Sequence, residues 1–126
     1  MRLIIVAAAL ASLSAGSALA ADLEHGAKVF KKCSTCHTIG PGAASRVGPP
    51  LNGLFGRKSG TYEGYSYTDA NKNSGITWDE ATFAKYIKDP KGVIPSTKMV
   101  FAGLTEEADI VDLTAFLKQY KADGSK

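Results

Sequence analysis

Apolar side chains recur at helical spacing near the start of the chain. Leu23, Ala27 and Phe30 occupy the i, i+4 and i+7 positions of one helix face. Asp22 precedes them and is a residue type that caps helix amino termini. The pattern predicts a first helix over about residues 23–33.

Two further helices are predicted in the second half of the chain. Thr77 and Glu80 have the spacing of a capping box and begin a helix with an apolar side, formed by Phe83, Tyr86 and Ile87. We expect this helix to end before Pro90, because proline disfavours a helical residue in front of it. A short helix over residues 68–73, stopped by Gly75, precedes it, and a short turn follows it as far as Pro95.

The last predicted helix has Thr105 as its N-cap and acidic residues in its first turn, where the helix dipole favours negative charge. Its apolar stripe consists of Ile110, Leu113, Leu117 and Tyr120. We expect this stripe to pack across the first helix near Gly26 and Phe30. Glycine at the crossing would let the two backbones approach closely.

Residues 38–66 show no such periodicity. They contain seven of the thirteen glycines and three of the five prolines. An irregular segment of this length is unusual in a small domain. It becomes reasonable if the segment lies against a flat cofactor, because glycines allow close backbone approach.

Residues 1–20 have the features of a cleaved export signal: Arg2, an apolar run over residues 3–10, and the small-x-small site Ala18, Leu19, Ala20. We therefore expect a periplasmic protein whose mature part is a single domain, residues 21–126. An uncleaved membrane anchor is the alternative. The formal net charge of +3 is too small to indicate a nucleic-acid binder.

The residues most indicative of chemistry are Cys33, Cys36 and His37, which form one Cys-x-x-Cys-His motif. This spacing is typical of c-type haem attachment: each thiol forms a thioether with a haem vinyl group, and the histidine binds the iron. Export supports this interpretation, because haem is joined to such motifs outside the cytoplasm. A thioredoxin-like redox pair, half of a zinc site and a plain disulfide are the alternatives.

Two later residues complete the predicted iron site. Met99 is the only methionine that remains after the leader is removed. A lone methionine usually fills a core gap, but a haem held by His37 requires a sixth ligand, and a thioether is suitable. The carbonyl of a proline in the Gly48 to Leu51 segment would accept a hydrogen bond from the outer nitrogen of His37 and orient its ring.

Residues 22–120 closely resemble the small soluble class I cytochromes c, both mitochondrial and periplasmic. Besides the cysteine motif, the resemblance is carried by residues 48–49, 54–58, 64–73, 75–78 and 94–103. It implies an all-α fold in which four or five helices and long glycine-rich loops surround one covalent haem c.

The resemblance also implies roles for individual residues. Cys33 and Cys36 hold the haem, His37 and Met99 are the axial ligands, and the carbonyl of Pro49 orients His37. Tyr67 and Trp78 bind haem propionates, with Arg57 offsetting their charge. Tyr86, Asn71 and Thr97 form a polar network beside Met99. Phe101 covers the haem edge.

This sequence departs from the mitochondrial pattern at three places. One residue is missing between Phe30 and Cys33, Pro50 replaces an asparagine, and residues 105–107 replace a run of lysines. The last change makes one side of the expected docking face less basic and leaves the partner preference open.

The predicted function is electron transfer and not catalysis, because two protein ligands leave the iron no open position. Six lysines are expected to surround the exposed haem edge and to steer the protein to acidic partners: Lys28, Lys31, Lys32, Lys88, Lys91 and Lys98. Expected partners are a cytochrome bc complex, a terminal oxidase, a photosynthetic reaction centre or a dehydrogenase. We expect a monomer without a permanent membrane anchor. A haem enzyme or ligand sensor with Met99 displaced, and a haem-free thiol–disulfide protein, are the alternatives.

Overall fold

A computed structural model of the chain describes residues 20–126. Of the predicted leader, only Ala20 falls within this range, so the leader and its cleavage site lie outside the described residues. The described part contains five helices: α1 (Leu23–Phe30), α2 (Asp69–Lys72), α3 (Glu80–Lys88), α4 (Pro90–Val93) and α5 (Glu107–Lys118). None of these helices has the length and apolar character needed to cross a membrane.

Helix α1 begins as predicted and ends earlier. The side chain of Asp22 accepts a hydrogen bond from the His25 amide at 3.0 Å, as expected of an N-cap. After Phe30 the chain continues in tighter turns, in which the Cys33 amide donates to Phe30 O at 2.8 Å and the His37 amide donates to Cys33 O at 2.9 Å. The cysteines therefore lie in a turn that follows the helix, and the prediction of a helix over residues 23–33 was wrong at its end.

The predicted crossing of α1 and α5 is confirmed. A methyl group built on Gly26 would overlap the carbonyl oxygen of Asp112, so only glycine permits this approach. The rings of Phe30 and Phe116 lie 5.5 Å apart on the same side of the crossing. In the core behind it, Leu113 and Leu117 are almost wholly buried.

The amino termini of α3 and α5 differ from the prediction. Asp79, and not Thr77, caps α3 by accepting a hydrogen bond from the Thr82 amide at 2.7 Å, while Thr77 forms an isolated antiparallel bridge with Lys58. Helix α5 is preceded by Glu106, whose side chain makes no capping hydrogen bond, so the predicted cap at Thr105 was wrong.

The long segment between α1 and α2 is irregular, as its composition predicts. It is held by side-chain contacts instead of a ladder of backbone hydrogen bonds. The buried Asn52 side chain accepts from the Gly40 amide at 2.8 Å and donates to Gly40 O at 2.9 Å, which closes residues 40–52 into a loop. This loop, α3 and the segment after α4 surround one large cavity.

Candidate functional site

The cavity has a volume of about 450 Å³ and is open on one side. All twelve residues predicted to contact a cofactor line it: Cys33, Cys36, His37, Pro49, Arg57, Tyr67, Asn71, Trp78, Tyr86, Thr97, Met99 and Phe101. They come from segments spread over some seventy residues of sequence, and the fold brings them to one surface.

The two cysteines are free and partly buried. Burial raises the pKa of the Cys33 thiol to about 11; the nearby Lys32 acts in the opposite direction, and Cys36 adds to the increase. A thiol–disulfide redox protein requires the reverse, a depressed pKa that yields a reactive thiolate. In residues 20–126, no cluster of three or more His, Cys, Asp or Glu side chains has an arrangement that could hold a metal ion.

His37 is held in one orientation from behind. Its Nδ1 lies 2.7 Å from Pro49 O, and because a carbonyl can only accept, Nδ1 carries the proton and Nε2 is left with a free lone pair. A Cβ on Gly48 would lie only 2.7 Å from Nδ1, so glycine is needed for this close approach. Burial lowers the pKa of His37, more strongly than the Pro49 hydrogen bond raises it. The ring is therefore neutral, the form that binds metals.

Met99 lies among polar groups on another part of the cavity wall. The Tyr86 hydroxyl donates to Met99 Sδ at 3.2 Å. The Thr97 hydroxyl donates to Asn71 Oδ1 at 3.1 Å and accepts from the Met99 amide at 3.3 Å. The Thr68 hydroxyl, at the N-cap of α2, also donates to Asn71 Oδ1 at 3.1 Å, so this oxygen accepts from two threonines. Tyr86, Thr97 and Asn71 are therefore joined to Met99 by hydrogen bonds to its sulfur and along its backbone.

Arg57, Tyr67 and Trp78, the residues assigned to the haem propionates, each make a different kind of contact. Arg57 donates through Nη2 to Pro50 O at 2.9 Å and to Asn52 O at 2.6 Å, so it braces the loop as well as lining the cavity. Tyr67 accepts a hydrogen bond from the Tyr62 amide at 3.2 Å. Trp78 is buried, with its ring 4.9 Å from that of Tyr86. All three residues line the cavity.

The six predicted docking lysines are all exposed but do not form one uniform group. Lys32 and Lys98 line the cavity. Lys98 also donates to Ser66 O and lies 4.5 Å above the Tyr65 ring. Lys88 forms an ion pair with Glu107, so its charge is offset. The remaining three, Lys28, Lys31 and Lys91, are outside the cavity lining.

Sequence reasoning missed two features of the cavity. Tyr65 lies in the lining, and its hydroxyl donates to Val47 O at 2.7 Å, which links two segments of the irregular loop. Val100 also lines the cavity although 93% of its surface is exposed. Residue order gives no signal for either position.

The residues present fit a covalent haem. Two thiols and an imidazole come from one turn, a restrained thioether comes from a separate segment, and the surrounding surface is largely apolar. A flat macrocycle bound through two thioethers needs this combination of ligands.

The comparisons with known proteins agree. The family model described as cytochrome c matches residues 23–121. The chain belongs to the cytochrome c family. It is 56% identical over 126 residues to cytochrome c2 from Blastochloris viridis, covering 100% of this chain and 99% of that protein. A cytochrome c2 from Rhodoplanes tepidamans is 60% identical over 105 residues, which are 83% of this chain and 98% of the relative.

A solved structure supports the same fold. Cytochrome cH from Methylobacterium extorquens matches with a TM-score of 0.72 and 40% identity, over 78% of this chain and 98% of that one. The predicted all-α class I cytochrome c fold is thus confirmed. Membership of the family implies a covalently bound haem c and a part in electron transport.

Proposed function

We propose that the protein is a mono-haem electron carrier in which His37 and Met99 ligate the iron of one haem c. One observation carries this proposal: His37 and Met99 line the same cavity, and both side chains are held by hydrogen bonds, at Nδ1 of His37 and at Sδ of Met99, so that Nε2 of His37 stays available to a metal. Pro49 O holds the imidazole at 2.7 Å, and the Tyr86 hydroxyl holds the sulfur at 3.2 Å.

Haem c supplies a one-electron couple when it is bound, and its axial ligands set the potential. The chain contributes positioning. Pro49 fixes the ring tautomer that leaves Nε2 available, and the network of Tyr86, Thr97 and Asn71 limits movement of Met99. Ligands that are held in place rearrange little between oxidation states, which favours transfer over catalysis. The same restraint argues against a haem enzyme or gas sensor, in which Met99 would have to leave.

The proposed partners are membrane redox complexes with acidic docking faces. Exposed Lys32 and Lys98 at the cavity support this, since they would steer acidic surfaces to the opening. A cytochrome bc complex as donor, and a terminal oxidase or a photosynthetic reaction centre as acceptor, fit this chemistry; a dehydrogenase is another possible donor. We further propose that residues 1–20 are removed during export and that residues 21–126 act as a monomeric domain in the periplasm.

The Met99→Ala variant tests the proposal. Without the thioether, reduced protein is expected to bind carbon monoxide, and the midpoint potential is expected to fall, because loss of a thioether ligand favours ferric iron. Optical spectra and a redox titration measure both effects. Val111→Ala is the control, because it truncates an exposed apolar side chain outside the cavity lining and should leave the spectrum and the potential unchanged. An unchanged spectrum and potential in Met99→Ala would remove Met99 from the site.

A further inference from the structure

The residues that follow α5 form a compact turn. The Lys121 amide donates to Ser125 O and the Gly124 amide donates to Lys121 O, both at 2.8 Å. Within the turn, Asp123 Oδ1 accepts from the Ser125 amide at 2.9 Å and from the Ser125 hydroxyl at 2.6 Å. Gly124 is buried. Residues 120–126, called here the post-α5 segment, are therefore an ordered part of the fold.

The post-α5 segment packs against the two ends of the loop at residues 40–53. At one end, a Cβ on Gly124 would overlap the Gly40 carbonyl and lie 2.7 Å from Pro41 N. At the other end, the Gly53 amide donates to Tyr120 O at 3.1 Å, and a Cβ on Gly53 would lie 2.8 Å from Ala122 Cα. Backbone thus meets backbone at both ends, with no room for a side chain.

The two loop ends that the segment touches are joined to each other. The buried Asn52 side chain makes two hydrogen bonds to Gly40, at 2.8 and 2.9 Å. Displacement of Gly40 or Gly53 would disturb this pair directly. Since a buried amide that loses its partners is costly, the loop has one preferred position while the segment is in place.

The same loop holds the carbonyl that orients His37. Pro49 lies three residues before Asn52, and its oxygen is 2.7 Å from His37 Nδ1. The loop is tied to the histidine turn by the Leu51 amide, which donates to Thr38 O at 2.9 Å. A continuous path of contacts therefore runs from Gly124 to Gly40 through packed backbone, from Gly40 to Asn52 through the asparagine side chain, and from Asn52 along the chain to Pro49.

We propose that the post-α5 segment is a positioning element for His37: by fixing the loop at Gly40 and Gly53, it keeps Pro49 O at hydrogen-bonding distance from Nδ1. The inference rests on the proposed function, because the consequence for the potential requires His37 to ligate the iron. A hydrogen bond from Nδ1 to a carbonyl makes the imidazole a stronger donor and favours ferric iron. Weakening it should raise the midpoint potential.

The test compares Gly124→Ala with Gly42→Ala in the haem-loaded protein. Both substitutions place alanine at a positive φ, 83° at Gly124 and 73° at Gly42, but only the first meets another part of the chain. We expect Gly124→Ala to speed hydrogen exchange at the Gly53 amide by about tenfold or more, to shift the His37 ring signals in the NMR spectrum of the ferric protein, and to raise the midpoint potential. Gly42→Ala should show none of these changes.

Asp123→Ala gives a second route, since it removes the two hydrogen bonds to Ser125 without introducing a clash. It should change hydrogen exchange at Gly53, the His37 ring signals and the midpoint potential in the same directions by smaller amounts. It replaces Gly124→Ala if that variant does not fold. If both variants lower only the melting temperature and leave the potential and the His37 signals at the Gly42→Ala values, the segment is merely structural and the inference is wrong. A wild-type protein whose iron lacks histidine and methionine ligands would instead overturn the proposed function.

Discussion

At the scale of single residues, the two proposed iron ligands are restrained by different means. His37 depends on backbone: a proline carbonyl behind the ring and a glycine beside it. Met99 depends on side chains, with a tyrosine hydroxyl on its sulfur and a threonine hydroxyl on its amide. Substitution of a single side chain can therefore alter the methionine environment, whereas the histidine environment responds to changes in the loop.

Tyr86→Phe is predicted to lower the midpoint potential. Its hydroxyl withdraws electron density from Met99 Sδ, which disfavours ferric iron, and phenylalanine removes this effect with little change of shape. A neutral hydrogen bond contributes about 1 kcal/mol, so the decrease should be some tens of millivolts at most, given that about 59 mV is a factor of ten for one electron. Redox titration measures it. Tyr62→Phe removes a tyrosine hydroxyl outside the cavity lining and should leave the potential unchanged, and an equal decrease there would contradict the prediction.

At the scale of elements, α1 and α5 are joined by more than the apolar crossing. His25 Nδ1 lies 2.7 Å from Asp112 Oδ2, and its Nε2 lies 3.4 Å from Asp109 Oδ1. Asp112 Oδ1 also accepts from the Asp22 amide at 2.9 Å. In the structure this histidine links the first helix to the last.

This link predicts a pH-dependent effect of Asp112→Asn. The hydrogen bond from His25, followed by that from the Asp22 amide, lowers the pKa of Asp112 in the folded protein. A lowered pKa stabilises the fold above the ordinary aspartate value of about 3.9, and the contribution disappears as the pH falls through the lower, folded value. The variant should therefore melt below wild type at pH 6, with the difference shrinking as the pH falls below about 3.9.

Thermal melts at several pH values test this expectation. Asp109→Asn is the matched control, since its carboxylate lies farther from the ring, and its effect should be smaller. A difference between Asp112→Asn and wild type that stays constant from pH 6 to pH 3 would contradict an ionic contribution from Asp112.

Features of the helices that depend on residues close together in the sequence were predicted better than features that depend on distant residues. The cap at Asp22, the end of α3 before Pro90 and the Gly26 crossing follow from short-range rules, and all three are confirmed. The caps at Thr77 and Thr105 were wrong because α3 begins two residues later, and α5 one residue later, than these caps require, and Thr77 pairs with Lys58 instead.

The site shows the same division. Its thiols and histidine form a contiguous motif that can be recognised in the sequence alone. The Tyr65 to Val47 contact, the Lys88 to Glu107 ion pair and the post-α5 packing join residues far apart in sequence. Such contacts follow from the path of the irregular loop, which has no periodicity from which its shape can be inferred.

At the scale of the whole molecule, the charge around the cavity is uneven. Lys32 and Lys98 lie at the cavity, whereas Lys88 is neutralised by Glu107, and Glu106 adds further negative charge near that end of α5. The proposed docking surface is therefore basic mainly on the side of Lys32 and Lys98. The six-lysine ring predicted from the sequence would have been basic on all sides. The positions of these lysines should matter more than the total charge.

Lys98→Glu is predicted to slow reduction by an acidic redox partner. At about 10 mM salt, where charges act over about 30 Å, the second-order rate constant should fall by about tenfold; near 0.15 M, where the range is about 8 Å, most of the difference should vanish. Stopped-flow kinetics at several salt concentrations measure it. Lys85→Glu makes the same charge change at an exposed lysine outside the cavity lining and should have a smaller effect. A salt-independent loss in Lys98→Glu would contradict steering.

The central claim is that His37 and Met99 together close the iron site, and the optical spectrum of the haem-loaded wild-type protein tests it most directly. The account predicts a weak near-infrared sulfur-to-iron band in the ferric protein and a reduced spectrum that carbon monoxide does not change. If the band is absent and carbon monoxide binds, the iron has an open position, and the protein is a haem enzyme or ligand sensor instead of an electron carrier.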